Sequence, residues 1–177
     1  EIAGMPAAGD VDRLTSLLGN PVPEMRFWGA IGFNTLGSQG ILNDCPAEVL
    51  AAIHDSVPEV AAAAAEAACY LGENEEGTDR LLELLEENFS PAYSSLETLT
   101  WYPGQKEILK DYIPELRKLL NEDSTGAQDR MGLDIKIRSL LVNLGDLPLS
   151  QLYTQEEKEK GIHVNQNPRK FRYPLIG

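Results

Sequence analysis

The sequence predicts an all-α protein, an α-solenoid of three to four helical hairpins followed by a C-terminal extension. Residues 20–37 (NPVPEMRFWGAIGFNTLG) and 55–72 (DSVPEVAAAAAEAACYLG) share one plan, in which a turn is followed by a Pro-Glu pair, small residues and a closing Leu-Gly. Pro58 follows Pro23 by 35 residues, and Pro91 follows Pro58 by 33. A period of this length is typical of one helical hairpin per repeat.

Length and composition are those of a globular chain with a sizeable core. The 177 residues are 42% hydrophobic and 24% charged, so the fold needs neither a disulfide nor a metal to hold together. No run approaches the ~20 apolar residues of a membrane span, and no basic-then-apolar leader is present. The chain begins at Glu1 rather than Met, which indicates a processed product or a piece excised from a longer protein.

The charge balance argues against two classes of partner. The formal net charge is −13 and the pI is near 4.5. Binding to a phosphate backbone depends on Lys and Arg, so nucleic acid and anionic membranes are poor partners for this chain. Acidic charge also favours solubility without any partner, and this alternative stays open.

The first hairpin is predicted from a helix over residues 11–18 and a partner helix that begins at Pro23. Asp10 is expected to cap the first helix, whose apolar face carries Val11, Leu14, Leu17 and Leu18. The inner face of the second helix is expected to carry Met25, Gly29, Gly32, Phe33 and Leu36. Two glycines in mid-helix predict a close approach of neighbouring helices.

The second and third hairpins follow the same plan. A helix over residues 46–54 is expected to have Asp44 as its cap and Pro46 at its first position, and an alanine-rich helix follows over residues 59–71. Residues 73–87 carry a leucine stripe. The helix over residues 92–102 is predicted to turn four side chains inward, namely Tyr93, Leu96, Leu99 and Trp101.

The fourth unit departs from the pattern, as terminal repeats do. In residues 105–120, Pro114 either kinks one helix or starts a new one. Residues 131–144 form the last helix. Residues 146–177 are a C-terminal extension in which Leu147, Leu149, Leu152 and Tyr153 can pack on the last hairpin.

Residues 165–172 of the extension form a basic patch on an acidic protein, with Arg169, Lys170 and Arg172. This segment is expected to be extended and to lie across acidic helices or bridge to a neighbouring domain. Disorder is the competing interpretation.

Catalytic or metal-binding residues are not apparent. The two histidines, His54 and His163, are far apart, and His54 is expected at a helix end, where a capping role is favoured over catalysis. Cys45 and Cys69 are expected to be free thiols, although the sequence does not exclude a disulfide. Among Glu83, Glu86 and Glu87, two carboxylates could in principle act as a catalytic pair, but their spacing predicts that they lie on the solvated face of one helix. We therefore predict no catalytic, cofactor-binding or metal-binding residue.

A binding surface is the remaining functional feature. In a solenoid the second helix of each hairpin commonly lines the concave side, which predicts three rows: Phe27, Ala62 and Ser95; Ile31, Glu66 and Leu99; Asn34, Cys69 and Tyr102. The candidate interaction surface comprises Arg26, Phe27, Trp28, Ile31, Glu66 and Tyr102. Exposed aromatic residues often anchor interfaces, whereas the alternative places Phe27 and Trp28 in the core.

The first repeat resembles a HEAT repeat, most closely those on the C-terminal side of bacterial sulfatases of the alkaline-phosphatase-like superfamily. Its turn is Asn20-Pro21-Val22-Pro23, and its helix reads Met25-Arg26-Phe27-Trp28-Gly29-Ala30-Ile31-Gly32. Ala61 and Ser94 stand where the second and third repeats would repeat Arg26. The family's nucleophile motif, Cys/Ser-x-Pro-x-Arg, is not matched by Cys45-Pro46-Ala47-Glu48. The resemblance therefore implies an accessory stack that carries no catalytic residue.

The sequence leaves open two main functions. The chain is expected to be a non-catalytic interaction or structural module, with a neighbouring domain of the same parent chain or another subunit as its protein partner. The alternative is part of a sulfatase-type hydrolase in which the stack shapes substrate access or oligomer contacts, which implies a periplasmic or secreted protein. A stand-alone enzyme built on His54, Glu66 and Tyr70 is a third possibility.

Overall fold

A computed structural model describes residues 6–121 and 130–159, and these residues are helical with no strand. The helices are α1 Val11–Leu18, α2 Pro23–Ser38, α3 Ala47–Ala52, α4 Pro58–Tyr70, α5 Asn74–Glu86, α6 Ser90–Leu99, α7 Pro103–Leu109, α8 Ile113–Asn121, α9 Arg130–Leu144 and α10 Gln155–Glu159. Short 3-10 turns lie at Ala8–Asp10, Lys110–Tyr112 and Leu149–Gln151. The prediction of an all-α fold is confirmed.

Helices that follow one another in the chain pack as pairs, α1 with α2, α3 with α4, α5 with α6, and α8 with α9. Between pairs, α2 contacts α4, α4 contacts α6, and α6 contacts α9. The alanine-rich α4 also packs against α3 and α5, and its alanines are buried on every side of the helix. Because an alanine side chain is a single methyl group, α4 can receive neighbours on all sides at short interaxial distances.

Two glycines of α2 allow α1 to approach closely, as predicted. A Cβ atom at Gly29 would lie 3.0 Å from the Leu18 nitrogen, and one at Gly32 would lie 2.3 Å from Leu14 Cδ2. The buried residues Phe33 and Leu36 complete this face. Met25 was predicted to join them but is 41% exposed, because it lies in the first turn of α2 beside the connecting loop.

Proline begins several helices. Pro23, Pro58 and Pro103 occupy the first position of α2, α4 and α7, where a missing N–H breaks no helical hydrogen bond. The predicted start of α3 was wrong, since Pro46 is the residue before the helix rather than its first residue, and it makes no side-chain cap. Asp10 does not cap α1 either, because its carboxylate accepts a hydrogen bond from the Ala7 N–H at 2.9 Å.

Four of these helices end in the same way. Gly40, Gly72, Asn88 and Gly145 adopt positive φ, and the N–H of the residue after each donates to the carbonyl five residues before that donor. This arrangement satisfies carbonyls that a helix end leaves free. Leu36-Gly37 was predicted to end α2, but that helix continues to Ser38. Gly37 instead makes room for α4, since a Cβ there would lie 2.7 Å from Tyr70 Cβ.

The third and fourth units also differ from the prediction. The helix after Pro91 ends at Leu99, so Trp101 lies beyond it and is 70% exposed rather than turned inward. Of the two alternatives for Pro114, a new helix is correct, because a 3-10 turn separates α7 from α8 and Pro114 is the second residue of α8. At that position its missing N–H is tolerated.

Residues 146–159 pack against α9. The Arg138 guanidinium donates to Glu157 Oε1 at 2.6 Å and to the Leu152 carbonyl at 2.9 Å, and all three residues are buried. Leu152 is buried as predicted, whereas Leu149 is exposed. The predicted basic patch at residues 165–172 and the rest of the extension after Glu159 lie outside the described residues.

Candidate functional site

The clearest concave surface runs across α2, α4 and α6. It consists of two neighbouring clefts with volumes of about 340 and 430 Å³. The smaller one, the Trp28 cleft, is lined by Glu24, Phe27, Trp28, Val57, Glu59 and Val60 among others. The larger one, the Glu66 cleft, lies on the other side of Phe27, and the two share Phe27 and Glu59. We call the two together the groove.

The Glu66 cleft has an apolar wall, a small-residue floor and a hydroxyl wall. Phe27 and Ile31 of α2 form the apolar side, and Ala62 and Ala63 of α4 form the floor. The opposite side belongs to α6 and presents hydroxyl groups of Ser90, Ser94, Ser95 and Thr98. Side chains larger than alanine at the floor would fill the cleft, so the alanine run of α4 is what keeps it open.

Glu66 is the more buried of the two ionisable groups that line this cleft, and Glu59 is exposed. Oε2 of Glu66 accepts a hydrogen bond from the Ser95 hydroxyl at 2.6 Å, and the Tyr70 hydroxyl lies 3.4 Å from its Oε1. Burial raises the pKa of the Glu66 carboxyl, and the two hydroxyl donors only partly offset this effect. Tyr70 also packs edge-to-face on Tyr102, with ring centroids 5.0 Å apart.

Arg26 links the first two repeats. Its guanidinium donates to both Asp55 carboxylate oxygens, at 2.6 and 2.9 Å, and to the carbonyls of Asn20 and Pro21 at 3.1 and 3.2 Å. The hydrogen bond from Arg26 lowers the pKa of Asp55, with a further contribution from the Val57 N–H. The Arg26 guanidinium is therefore engaged by the Asp55 carboxylate and by two backbone carbonyls of its own chain.

Four of the other candidate interaction residues line the groove, and Tyr102 lines neither cleft. Phe27 and Ile31 are half-buried in its apolar wall, and Trp28 is 57% exposed with its ring 5.8 Å from that of Phe27. Glu66 lies within the groove. Tyr102 is 38% exposed and reaches Glu66 only through Tyr70.

The predicted rows are correct in part. The row of Phe27, Ala62 and Ser95 lines the Glu66 cleft completely, and Ile31 and Glu66 of the second row do so as well. Leu99, Asn34 and Cys69 were predicted to line the groove but are buried in the core. Equal offsets from the turn proline therefore do not place every side chain of a row on the groove surface.

Several residues in or beside the groove were not predicted. Asp55 was not identified as the partner of Arg26, although Asn20 occupies the equivalent turn position and both accept a hydrogen bond from the N–H two residues later. That shared role could have been inferred from the 35-residue offset. Ser94 and Thr98 were missed because hydroxyl residues on a helix give no distinctive pattern.

The groove is not lined by Cys45, Cys69 or His54. Cys45 and Cys69 are free, and burial raises their pKa values to about 11 and about 12. His54 is exposed just beyond α3 and lines neither cleft. Over residues 6–121 and 130–159, no group of three or more His, Cys, Asp or Glu side chains is arranged to hold a metal ion. None of the helices in these ranges has the length and apolar character needed to span a membrane.

No protein-family model, no curated protein and no solved structure matches the chain.

Proposed function

We propose that this chain is a HEAT-like α-solenoid module that binds a protein through the groove and carries out no catalysis itself. The observation that carries the proposal is the groove, which crosses the second helix of three successive pairs. Repeat solenoids use extended surfaces of this kind to bind partners. The 35- and 33-residue offsets and the pairwise contacts of the helices support the solenoid part of the proposal.

The chemistry of the groove favours a protein segment over a small substrate. Trp28 offers a large exposed aromatic surface at one end. At the other end the hydroxyls of Ser94 and Thr98 donate within α6, so their oxygens can accept hydrogen bonds from the N–H groups of a peptide backbone. Tryptophan is among the residues that contribute most to interface affinity. A partner can be a neighbouring domain of the same parent protein or another subunit.

The proposal is tested by photo-crosslinking from two positions of the full chain. Benzoylphenylalanine replaces Ser94, which lines the groove, or Glu86, an exposed residue of α5 that lines neither cleft. We expect one defined partner segment to be crosslinked from position 94 and not from position 86 in cells of the source organism. Trp28→Ala should lower the yield at position 94 at least tenfold if Trp28 contributes ~1.4 kcal/mol or more to binding. Equal labelling from both positions contradicts the proposal.

A second candidate function rests on residues 19–37, whose sequence resembles the HEAT-like region of bacterial sulfatases. In that case the module is the accessory stack of a sulfatase-type hydrolase and shapes substrate access or oligomer contacts. The test is the sequence of the native polypeptide. A Cys/Ser-x-Pro-x-Arg motif upstream of Glu1 supports this candidate, and a native chain that starts within a few residues of Glu1 refutes it.

A further inference from the structure

The groove is acidic as well as aromatic. The ionisable side chains that line its two clefts are Glu24, Glu59 and Glu66. Lys136 of α9 lies at the α6 rim, where its ammonium donates to Asn88 Oδ1 and Ser90 Oγ, each at 2.9 Å. The net charge of −13 adds to the negative potential of such a concave surface. A cationic segment is therefore the complementary ligand.

Glu66 differs from Asp55 and Glu157 in its partners. Asp55 is paired with Arg26, and Glu157 is paired with Arg138. The hydrogen-bond donors to Glu66 are the hydroxyls of Ser95 and Tyr70. A buried carboxylate gains most from a cation when its existing partners are neutral, so the Glu66 cleft is where a bound cation would contribute most.

Aromatic rings beside the carboxylates narrow the ligand to Lys or Arg side chains. The face of an aromatic ring attracts a guanidinium or ammonium group, and the aliphatic stems of these side chains pack on apolar surface. Phe27 lines both clefts, next to Glu59 in each, and Trp28 is exposed beside it.

The spacing of the carboxylates sets the spacing of the cations. Glu59 and Glu66 are seven residues apart in α4, which places their Cα atoms ~10.5 Å apart along the helix axis. In a polyproline II segment, residues i and i+3 lie on one face, ~9.3 Å apart. A segment with cations at i and i+3 and prolines nearby would match this spacing.

The chain itself contains one such sequence. Residues 168–174 read PRKFRYP, with Arg169 and Arg172 at i and i+3, Phe171 between them, and prolines at both ends. Eight residues lie between Glu159 and Pro168, and the nine Cα–Cα steps can span ~30 Å when extended. The preceding helix, α10, is held on α9 by Arg138 and Glu157, and α9 contacts α6 at the groove rim. Packed helices lie ~8–10 Å apart, so the connection is long enough.

We propose that the groove binds residues 168–174 of the same chain, with Arg169 and Arg172 at Glu59 and Glu66 and Phe171 against Phe27. This inference rests on the proposed function, because it names the chemistry of the segment that the groove recognises. A protein partner of the groove would then carry a similar cationic segment and would have to displace this one.

The test places benzoylphenylalanine at position 171 of the full chain, where it replaces another phenyl ring. After irradiation, we expect crosslinks within one chain to tryptic peptides of α2 and α4. Arg169→Gln with Arg172→Gln should lower their yield at least tenfold, a loss of ~1.4 kcal/mol of binding, whereas Lys at both positions should retain most of it. These substitutions lie outside the helices described above.

The groove side of the contact is tested by Glu59→Gln, an exposed position, with Glu86→Gln on α5 as the matched control. We expect the first variant to lower the crosslinking yield and the control to leave it unchanged. Crosslinks scattered over the surface, or insensitive to the arginine substitutions, overturn the inference. Crosslinks between two chains also overturn it, since they assign the groove to a second copy. If these results are negative while position 94 still captures a partner, the inference fails and the proposed function stands.

Discussion

Replacing Gly77 by alanine should destabilise the protein, although alanine is the better helix former. Gly77 lies inside α5 and faces α4, where a Cβ atom would be 2.6 Å from the Ala65 carbonyl oxygen and 2.7 Å from Cys69 Sγ. A backbone oxygen in a buried helix cannot move aside as a flexible side chain can. Overpacking of this kind costs ~1–3 kcal/mol, and the contact with backbone favours the upper end of that range.

The helix propensity of alanine offsets part of this cost, by up to ~1 kcal/mol. We therefore expect Gly77→Ala to lose ~2 kcal/mol of unfolding free energy, which corresponds to a Tm lower by ~4–8 °C for a chain of this size. The measurement is thermal and urea unfolding followed by circular dichroism at 222 nm, a wavelength that reports helix content.

Gly132→Ala is the matched control, because the same substitution is made in α9 at an exposed position where no atom of the described residues lies within 4 Å of the new Cβ. Here the propensity gain acts alone, so stability should rise by up to ~1 kcal/mol, or ~2–4 °C in Tm. The reasoning is refuted if Gly77→Ala is as stable as the parent protein, or if both variants change stability in the same direction.

Three further predictions concern ionisable groups. Asp55→Asn should lower stability at neutral pH, because the ion pair with Arg26 is lost. Since Arg26 lowers the pKa of Asp55, this stabilisation is present above the pKa that Asp55 has in the unfolded chain and disappears as pH falls through the pKa that it has in the folded protein. The urea midpoints of variant and parent should therefore converge in acid. In a background that carries Arg169→Gln and Arg172→Gln, Glu66→Gln should be neutral or stabilising at pH 7, because burial then raises the pKa of Glu66 and that background loses stability as pH rises through the folded value; a Glu66→Gln variant less stable at pH 7 than at pH 4, relative to the same background, contradicts this. Cys45 and Cys69 should react slowly with a disulfide reagent at pH 8 in the native protein and rapidly in urea, because their pKa values of about 11 and 12 leave little thiolate; Cys45, half-buried, should react first.

Local chemistry was sufficient to predict most helices. Proline at the first helical position, glycine after the last turn and apolar residues at helical spacing depend on neighbours within one or two turns. These signals located the starts of α2 and α4 and the ends of α1 and α9 to within a residue. They failed at the end of α2, where either Gly37 or Gly40 could adopt the positive φ that closes a helix, and Gly40 is the one that does.

The candidate site was less predictable because it depends on the rotation of each helix about its own axis. The 35-residue offset correctly grouped Phe27 with Ala62 and Ser95, but it also placed Leu99 and Cys69 in the groove, and both are buried. Met25 and Trp101 were assigned to the interior from spacing alone and are exposed, since each lies near a helix end. Periodicity identifies an apolar face but not the neighbour that covers it.

The sequence by itself determined the all-α class, the helical pairs and the two close-packing glycines of α2, since each follows from short-range sterics and hydrogen bonding. The tertiary structure alone decided which polar groups meet. Arg26 reaches Asp55 across 29 residues, and Ser95 reaches Glu66 across another 29. Such contacts require two repeats to be brought together at a specific angle, and that angle is set by the packing of whole helix faces rather than by any local pattern.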